Sequence, residues 1–413
     1  MTHAGEFTTP EELGLSSERL ARIPAFFKHY VDRQKFSGFS TLIARQGKIA
    51  HFETVGLRDR ENGTPVEKDT IFRIYSMTKP ITSLALMLLH EEGRFQITHE
   101  VARYLPAFER LRVFDEGDRE SFTTKPLKRA MTIRDLLTHT SGLTYGFMYA
   151  HPVDAMYRKA GLAGAATDGI TLEEMVEKIA DIPLLFSPGE HWNYSMSTDV
   201  CGRLVEVISG KPLDVFLKER IFDPLGMHDT GFSVPEEKLA RFAANYEKDP
   251  KTKEVRLADP ADKTSTYARP QKFLSGGGGL VSTATDYFRF CQMLLNGGEL
   301  DGVRIASPKT IDFMTLNHLP GGQSMKDMDQ SAFSETGMDG AGFGLGFSII
   351  MDMAEAAMPV SPGSYSWGGL ASTYFWIDPD EELIGIFMTQ LMPSRAYPLR
   401  PQFQQLVYGA LTD

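Results

Sequence analysis

Ser76-Met77-Thr78-Lys79 is the only Ser-x-x-Lys in the 413-residue chain. At helical spacing, positions i and i+3 lie on one face, one turn apart, so the lysine amine can reach the serine hydroxyl. The neighbouring text places a helix start there. A strand-like run, "TIFRIYS" (70–76), leads in, and the apolar text "MTKPITSLALMLLHEEG" (77–93) follows, with Gly93 as its stop. Pro80 is tolerated only in a first turn, where few backbone N–H groups have partners, so the helix begins near Ser76. A serine in that position has free N–H groups and the positive end of the helix dipole beside it. These are the parts of an activated nucleophile and half an oxyanion hole. A helix N-cap serine with a surface lysine is the other meaning the same residues can carry.

Two further segments carry side chains suited to the same chemistry. In "FSPGEHWNYSMSTD" (186–199), Pro188 and Gly189 force a turn, and Tyr194 follows on a loop before the next helix. Such a tyrosine packs, or it acts. Held near Lys79, its phenol would feel a positive charge that favours phenolate and lowers its pKa. It could then take a proton from Ser76 and return it to a leaving group. In "SWGGLAS" (366–372), Trp367 precedes Gly368 and Gly369. Paired glycines weaken a strand but let another group approach its backbone; a bulge beside a packed tryptophan is the alternative.

In this order the three segments resemble the serine β-lactamase and penicillin-recognising family, in its class C-like branch and closest to the family VIII carboxylesterases. "TIRDLLTHTSGL" (132–143), "GKPLDVFLKERIFDPLGMHDTGF" (210–232) and "GGGGLVSTATDYFRF" (276–290) look like recurrent segments of that family, so the likeness covers nearly the whole chain. The resemblance implies that Ser76 is the acylated nucleophile and Lys79 the amine that lowers the barrier to its deprotonation. It makes Tyr194 the base and then the acid toward the leaving group. Trp367-Gly368-Gly369 takes the place of the Lys-Thr/Ser-Gly triplet, and the oxyanion hole is formed by the backbone N–H groups of Ser76 and Leu370. The fold implied is α+β: an antiparallel sheet flanked by terminal helices, an inserted mostly helical domain, and an active site in the cleft between them.

Two departures bear on the substrate. An indole replaces the triplet lysine that helps hold a substrate carboxylate in β-lactamases. Loss of a charge-assisted bond removes about 1.5–3 kcal/mol, or roughly 10- to 150-fold in binding. The usual Tyr-x-Asn reads Tyr194-Ser195-Met196, without the side-chain amide that grips an acylamide. Both changes disfavour β-lactams and peptides and suit neutral short-chain esters. The expectation is therefore a serine carboxylesterase working through an acyl-enzyme. An acyltransferase or an amide hydrolase using the same side chains is the rival, and a non-catalytic binding module is a third reading. Trp192 and Tyr145 would line an acyl pocket or belong to the core, and His139 would satisfy a buried loop.

The elements that must position these residues follow from pattern. "GFSTLIARQGKIAHFETVGL" (38–57) reads as a hairpin turning at "RQGK", preceded by an amphipathic helix over 16–34. Helices are expected over 132–140, 171–183, 198–210, 212–226 and 283–298, the last opened by a Thr283/Asp286 capping box. The stretch 245–275 reads as a charged loop, 115–121 as a solvated loop, 275–283 as a flexible turn, and 319–342 as a long loop. Strands follow at 342–350, 364–370, 372–379 and 382–391, then a helix over 401–411. Strands at both ends around a helical block predict one sheet domain from 1–78 and 270–413, and a helical domain over 79–269.

Composition limits the remaining possibilities. With 54 acidic and 43 basic residues, a net charge of −11 argues against nucleic-acid and anionic-membrane partners. Cys201 and Cys291 are too few for a disulfide scaffold and read as buried thiols of a reducing compartment. The first residues lack the basic and apolar regions of a signal peptide, which suggests a cytoplasmic protein. The text contains no Walker A loop, dinucleotide fingerprint, H-E-x-x-H or G-x-S-x-G, so the expectation is no cofactor and no metal. A small-molecule ester is the expected partner, and the oligomeric state stays open.

Overall fold

The computed structural model describes residues 5–162, 164, 167–329 and 333–413. Its centre is one eight-stranded antiparallel sheet. The strands, in chain order, are β1 (Gly38–Arg45), β2 (Lys48–Asp59), β3 (Thr64–Pro65), β4 (Ala341–Phe343), β5 (Ser348–Ile350), β6 (Tyr365–Gly368), β7 (Tyr374–Asp378) and β8 (Leu383–Thr389). Their spatial order is β4-β5-β6-β7-β8-β1-β2-β3. The two ends of the chain therefore meet where β1 pairs with β8, from Phe39 opposite Thr389 to Arg45 opposite Leu383. The expected hairpin is β1–β2. Gln46 and Gly47 take φ of 53° and 78°. Positive φ at both central positions is what a tight two-residue turn requires to match strand twist.

Five helices matter for the site: α1 (Arg22–Asp32), α2 (Thr78–Glu91), α3 (Ser197–Ser209), α4 (Ala284–Leu295) and α5 (Leu399–Tyr408). The terminal helices α1 and α5 close one face of the sheet over Phe27, Phe39, Trp376, Phe387 and Phe403. The rings of Phe27 and Phe387 lie 5.0 Å apart, edge to face. The opposite face is buried under α4, α2 and the helices that follow α2, in one continuous core. Among the described residues, no helix is long and apolar enough to cross a membrane.

Several local expectations are revised. The run 342–350 is a hairpin, β4–β5, in place of one strand. Gly344 and Gly346 break it, and Gly346, at φ 103°, lies against the Ser83 side chain of α2. The charged stretch 245–275 contains a hairpin, Asn245–Lys248 with Val255–Asp259, because Leu391–Met392 offers a parallel edge for it to pair with. The loop at 115–121 caps another hairpin, Val113–Gly117 with Phe122–Lys125. Thr283 caps α4 by accepting from the Asp286 N–H, but the box is half formed. The Asp286 carboxylate is taken by the Asp229 N–H and the Thr230 hydroxyl. The last helix begins at Leu399, two residues early, which places Pro401 in its first turn. The region 319–342 is held at Trp192–Asp329 by a bridge and at Glu335 by an ion pair; its residues 330–332 lie outside those described.

The glycines at the end of β6 and just past it have a packing reason. A Cβ on Gly368 would overlap the Arg400 guanidinium, and one on Gly369 would overlap the Ile74 carbonyl and the Thr373 hydroxyl. Ile74 lies two residues before Ser76, so this strand end rests directly on the backbone that carries the serine. Backbone cannot swing aside as a side-chain tip can. Gly369→Ala is therefore expected to cost about 1–3 kcal/mol as overpacking. Urea unfolding measures this, and an unchanged midpoint would show that the strand end does not bear on Ile74.

Candidate active site

Ser76 sits in a tight turn, Tyr75–Met77, that runs directly into α2. The preceding residue, Tyr75, has φ of 43°, an uncommon conformation for a bulky side chain. It is held on both sides. The short strand Phe72–Arg73 pairs with Val281–Ser282, and the Gln390 side chain bonds both the N–H and the carbonyl of Arg73. The buried Arg73 guanidinium is paired with Asp259 and donates to the Ala243 carbonyl. The Asn245 amide donates to the Tyr75 hydroxyl at 2.9 Å. These fixings present Ser76 at the head of α2, only 9 % exposed.

Lys79 lies one turn on, 1 % exposed. Its Nζ is 3.3 Å from Ser76 Oγ, 3.0 Å from the Tyr145 hydroxyl and 2.6 Å from the Gly277 carbonyl. Burial pushes its pKa down to about 7, against the upward pull of Asp199 and Glu335. A neutral amine has two N–H donors and one lone pair. The Gly277 carbonyl can only accept, and Tyr145 can accept the second hydrogen. The lone pair is then left for the serine proton.

Tyr194 completes the cluster, its hydroxyl 2.5 Å from Ser76 Oγ. Its loop is pinned to the 139–144 segment, by the Asn193 N–H to the His139 carbonyl and by the Asn193 amide to the Leu143 carbonyl. The ring packs against His139, Tyr145 and Trp367, at centroid distances of 5.2, 5.2 and 5.4 Å. The lowered phenol pKa expected from the sequence is not found. Burial and then the Glu335 carboxylate hold it well above the usual phenol range, and the Ser76 and Trp367 contacts offset only part of that. The Trp367 indole N–H faces the phenol but is not aligned for a full hydrogen bond.

The remaining expected residues fall around this cluster. Trp367 is fully buried, its ring edge-on to Phe343 at 5.3 Å and tilted against Tyr194. No charged group stands at the head of the triplet. Gly369 donates to the Thr373 carbonyl at 2.9 Å, which closes a turn whose Ser372 has φ of 68°. Leu370 lies in that turn, partly exposed. Ser195 does not face an open cleft: its hydroxyl is bonded to His139 and Ser197. His139 is buried, and burial and Lys79 together keep it neutral, as a packing residue.

Three contributors were not legible. The Gly277 carbonyl on Lys79 comes from the "GGGG" segment expected to be a flexible turn. That segment is instead packed: a Cβ on Gly276 would meet the Thr198 carbonyl, and one on Gly277 would meet Asp199 and Tyr145. Asp199 is fully buried, and its Oδ1 accepts from the Ser275 hydroxyl at 2.5 Å and the Gly277 N–H at 3.0 Å, which fixes the peptide that Lys79 binds. Burial raises its pKa. Arg400, paired with Glu335 at 2.9 Å, donates to the Gly369 carbonyl at 2.7 Å. Nothing in the text near residues 199, 277, 335 or 400 marks them as neighbours, although four consecutive glycines are a sign of close approach as much as of flexibility.

Comparison with known proteins shows the family. The β-lactamase family model matches residues 23–408. An uncharacterized protein of Mycobacterium tuberculosis is 34 % identical over 373 residues, covering 90 % of both chains. Esterase EstB of Burkholderia gladioli is 32 % identical over 386 residues, covering 89 % of this chain and 90 % of its own. The structure of EstCE1, described as a hydrolase with promiscuous acyltransferase activity, superposes with a TM-score of 0.79 at 26 % identity, covering 96 % of this chain and 98 % of its own. The chain belongs to the β-lactamase family, as a serine hydrolase built on that fold.

Proposed function

We propose that the protein is a serine carboxylesterase that cleaves short-chain esters through an acyl-enzyme on Ser76. The observation that carries this reading is the proton path Tyr194–Ser76–Lys79, with hydroxyl to Oγ at 2.5 Å and Oγ to Nζ at 3.3 Å. The likeness to esterase EstB supports it. Lys79, with a pKa near 7, is the group able to take the serine proton at neutral pH. Tyr194 stays a phenol and donates to Oγ. As Oγ bonds to the ester carbonyl carbon, the negative charge moves to the carbonyl oxygen, held by the N–H groups of Ser76 and Leu370. Collapse expels the alkoxide, which takes the Tyr194 proton, and the lysine ammonium returns a proton to the tyrosine. Water then repeats the sequence in reverse and frees the acid.

Trp367 and Met196, both fully buried, leave neither a cation nor an amide to grip a carboxylate or an acylamide. That favours neutral esters over β-lactams. Acyl transfer is the second reading. It is supported by the small exposure of Ser76 beside the Tyr194 phenol, and by the described side activity of EstCE1.

Hydrolysis of p-nitrophenyl esters of graded acyl length is expected to be fast for short chains. Ser76→Ala should lower it by about 10⁴-fold or more, the scale for loss of an activated serine. A chromogenic cephalosporin should turn over poorly. Equal ester rates for wild type and Ser76→Ala would reject the mechanism, and product formed on an added alcohol faster than hydrolysis would favour acyl transfer. A pH profile tests the assignment of the base. Lys79 must be unprotonated to act, so kcat/KM should rise with pH through about 7 and level off above it. The Asp199 carboxylate raises the Lys79 pKa, so Asp199→Asn should move that acidic limb to lower pH. A limb that stays in place would show that another group controls it.

A further inference from the structure

The turn that follows β6 leaves one donor unused. The Leu370 N–H takes no hydrogen-bond partner among the described residues. The carbonyl of the same peptide unit, that of Gly369, is held twice: by the Ser372 N–H at 3.0 Å and by Arg400 Nη2 at 2.7 Å. A trans peptide is planar, and its C=O and N–H point in opposite directions. The groups that fix the Gly369 carbonyl therefore aim the Leu370 N–H.

The sheet sets the direction. Side chains alternate between faces along a strand, and Trp367 lies on the face of Tyr194 and Phe343. The Arg400 guanidinium occupies the place of a side chain on the next residue, Gly368, and so lies on the opposite face. That face is closed by α5, which carries Arg400. With its oxygen drawn to that side, the Gly369–Leu370 peptide turns its N–H toward the face of Trp367 and Tyr194. The turn is also tied to the serine. Gly369 abuts the Ile74 carbonyl, and the Thr373 hydroxyl donates to that carbonyl at 3.4 Å. Ile74 is two residues before Ser76, so these contacts set the Leu370 N–H against the backbone that carries the nucleophile.

Arg400 is itself held in place. It is buried, and it donates to the Glu335 carboxylate at 2.9 Å, to the Glu335 carbonyl and to the Thr373 carbonyl at 3.1 Å. A charged donor on a carbonyl draws electron density along the amide, and the N–H at the other end becomes a stronger donor. That gain is largest when the N–H meets a full negative charge, as it does in a tetrahedral intermediate and not in the bound ester. We propose that Arg400 is a positioning residue for acyl transfer to Ser76: through the Gly369 carbonyl it aims and polarises the Leu370 N–H that receives the oxyanion. The inference rests on the reading of Leu370 as an oxyanion donor in an acyl-enzyme mechanism.

The test compares Glu335→Gln with the double variant Glu335→Gln/Arg400→Gln, so that no buried carboxylate loses its cation when Arg400 is removed. Rates are read at about pH 9, above the acidic limb set by Lys79, because Glu335 also acts on that lysine. Acylation and deacylation both pass through an oxyanion. Loss of Arg400 should therefore lower kcat for a short p-nitrophenyl ester about 10- to 100-fold and leave KM within about threefold. Trifluoromethyl butyl ketone, whose carbonyl Ser76 attacks to give a lasting oxyanion, should inhibit more weakly by the same factor. The matching secondary alcohol has no carbonyl to attack and should inhibit both proteins equally. A merely structural role would weaken ketone and alcohol alike, and that result would overturn the proposal. So would equal kcat and equal ketone inhibition in the two proteins. Where either protein fails to fold, Arg400→Lys against wild type replaces the comparison, since it keeps a cation opposite Glu335. Its shorter ammonium has three hydrogens for the four oxygens that Arg400 holds and should show the same selective loss; wild-type values would overturn the proposal. Ser76→Ala separates the two readings. If it cleaves the ester as fast as wild type, the acyl-enzyme mechanism has failed; if it is inactive while the Arg400 variants match their references, only the role of Arg400 has.

Discussion

The structure is organised around one buried amine. Lys79 lies almost wholly out of water on the first turn of α2, and the cost of charging it there brings its pKa close to neutrality. An exposed lysine at the same spacing would be an ammonium with no lone pair to offer. Everything adjacent serves to keep the group buried yet satisfied. The Gly277 carbonyl and the Tyr145 hydroxyl occupy two of its hydrogen positions, and Asp199 holds the Gly277 peptide in place. The glycines at 276 and 277 are required because Thr198, Asp199 and Tyr145 stand where side chains would go. A segment that reads as slack is therefore part of the wall of the lysine pocket.

The same principle of close approach explains the far side of the cluster. Gly369 lets β6 rest on the Ile74 carbonyl, and Gly368 lets the Arg400 guanidinium lie on the strand. Arg400 in turn neutralises Glu335, whose charge reaches both Lys79 and Tyr194. Trp367 stands where the resemblance to the β-lactamases implies a lysine. Its indole packs on Tyr194 and Phe343. The tyrosine is then enclosed by rings and a carboxylate's field, which keeps its proton on.

Much of the frame could be read from pattern. The β1–β2 hairpin was marked by its "QG" turn, α2 by Pro80 and an apolar run, and α3 by Gly210, which takes a positive φ just past the helix end. These signals are local: period, turn residues and stops. The misread segments are those where a distant partner decided the outcome. Asn245–Lys248 is a strand because Leu391–Met392 lies beside it, and Asp286 forms half a capping box because the 229–230 loop claims its carboxylate.

The sequence by itself determined which side chains could react. Ser76 and Lys79 are three residues apart on a helix start, a spacing that puts them together in any fold that forms the helix. It also determined what is lacking, a cation at 367 and an amide at 196. Only the tertiary structure decided the protonation states, because these depend on how far water is excluded and which charges face the group across the fold. Tyr194 is 118 residues from Ser76 in the chain, Gly277 is 198 from Lys79, and Arg400 lies 65 from Glu335. A lysine near neutrality and a tyrosine that keeps its proton are properties of that assembled, water-poor interior, and no local pattern encodes them.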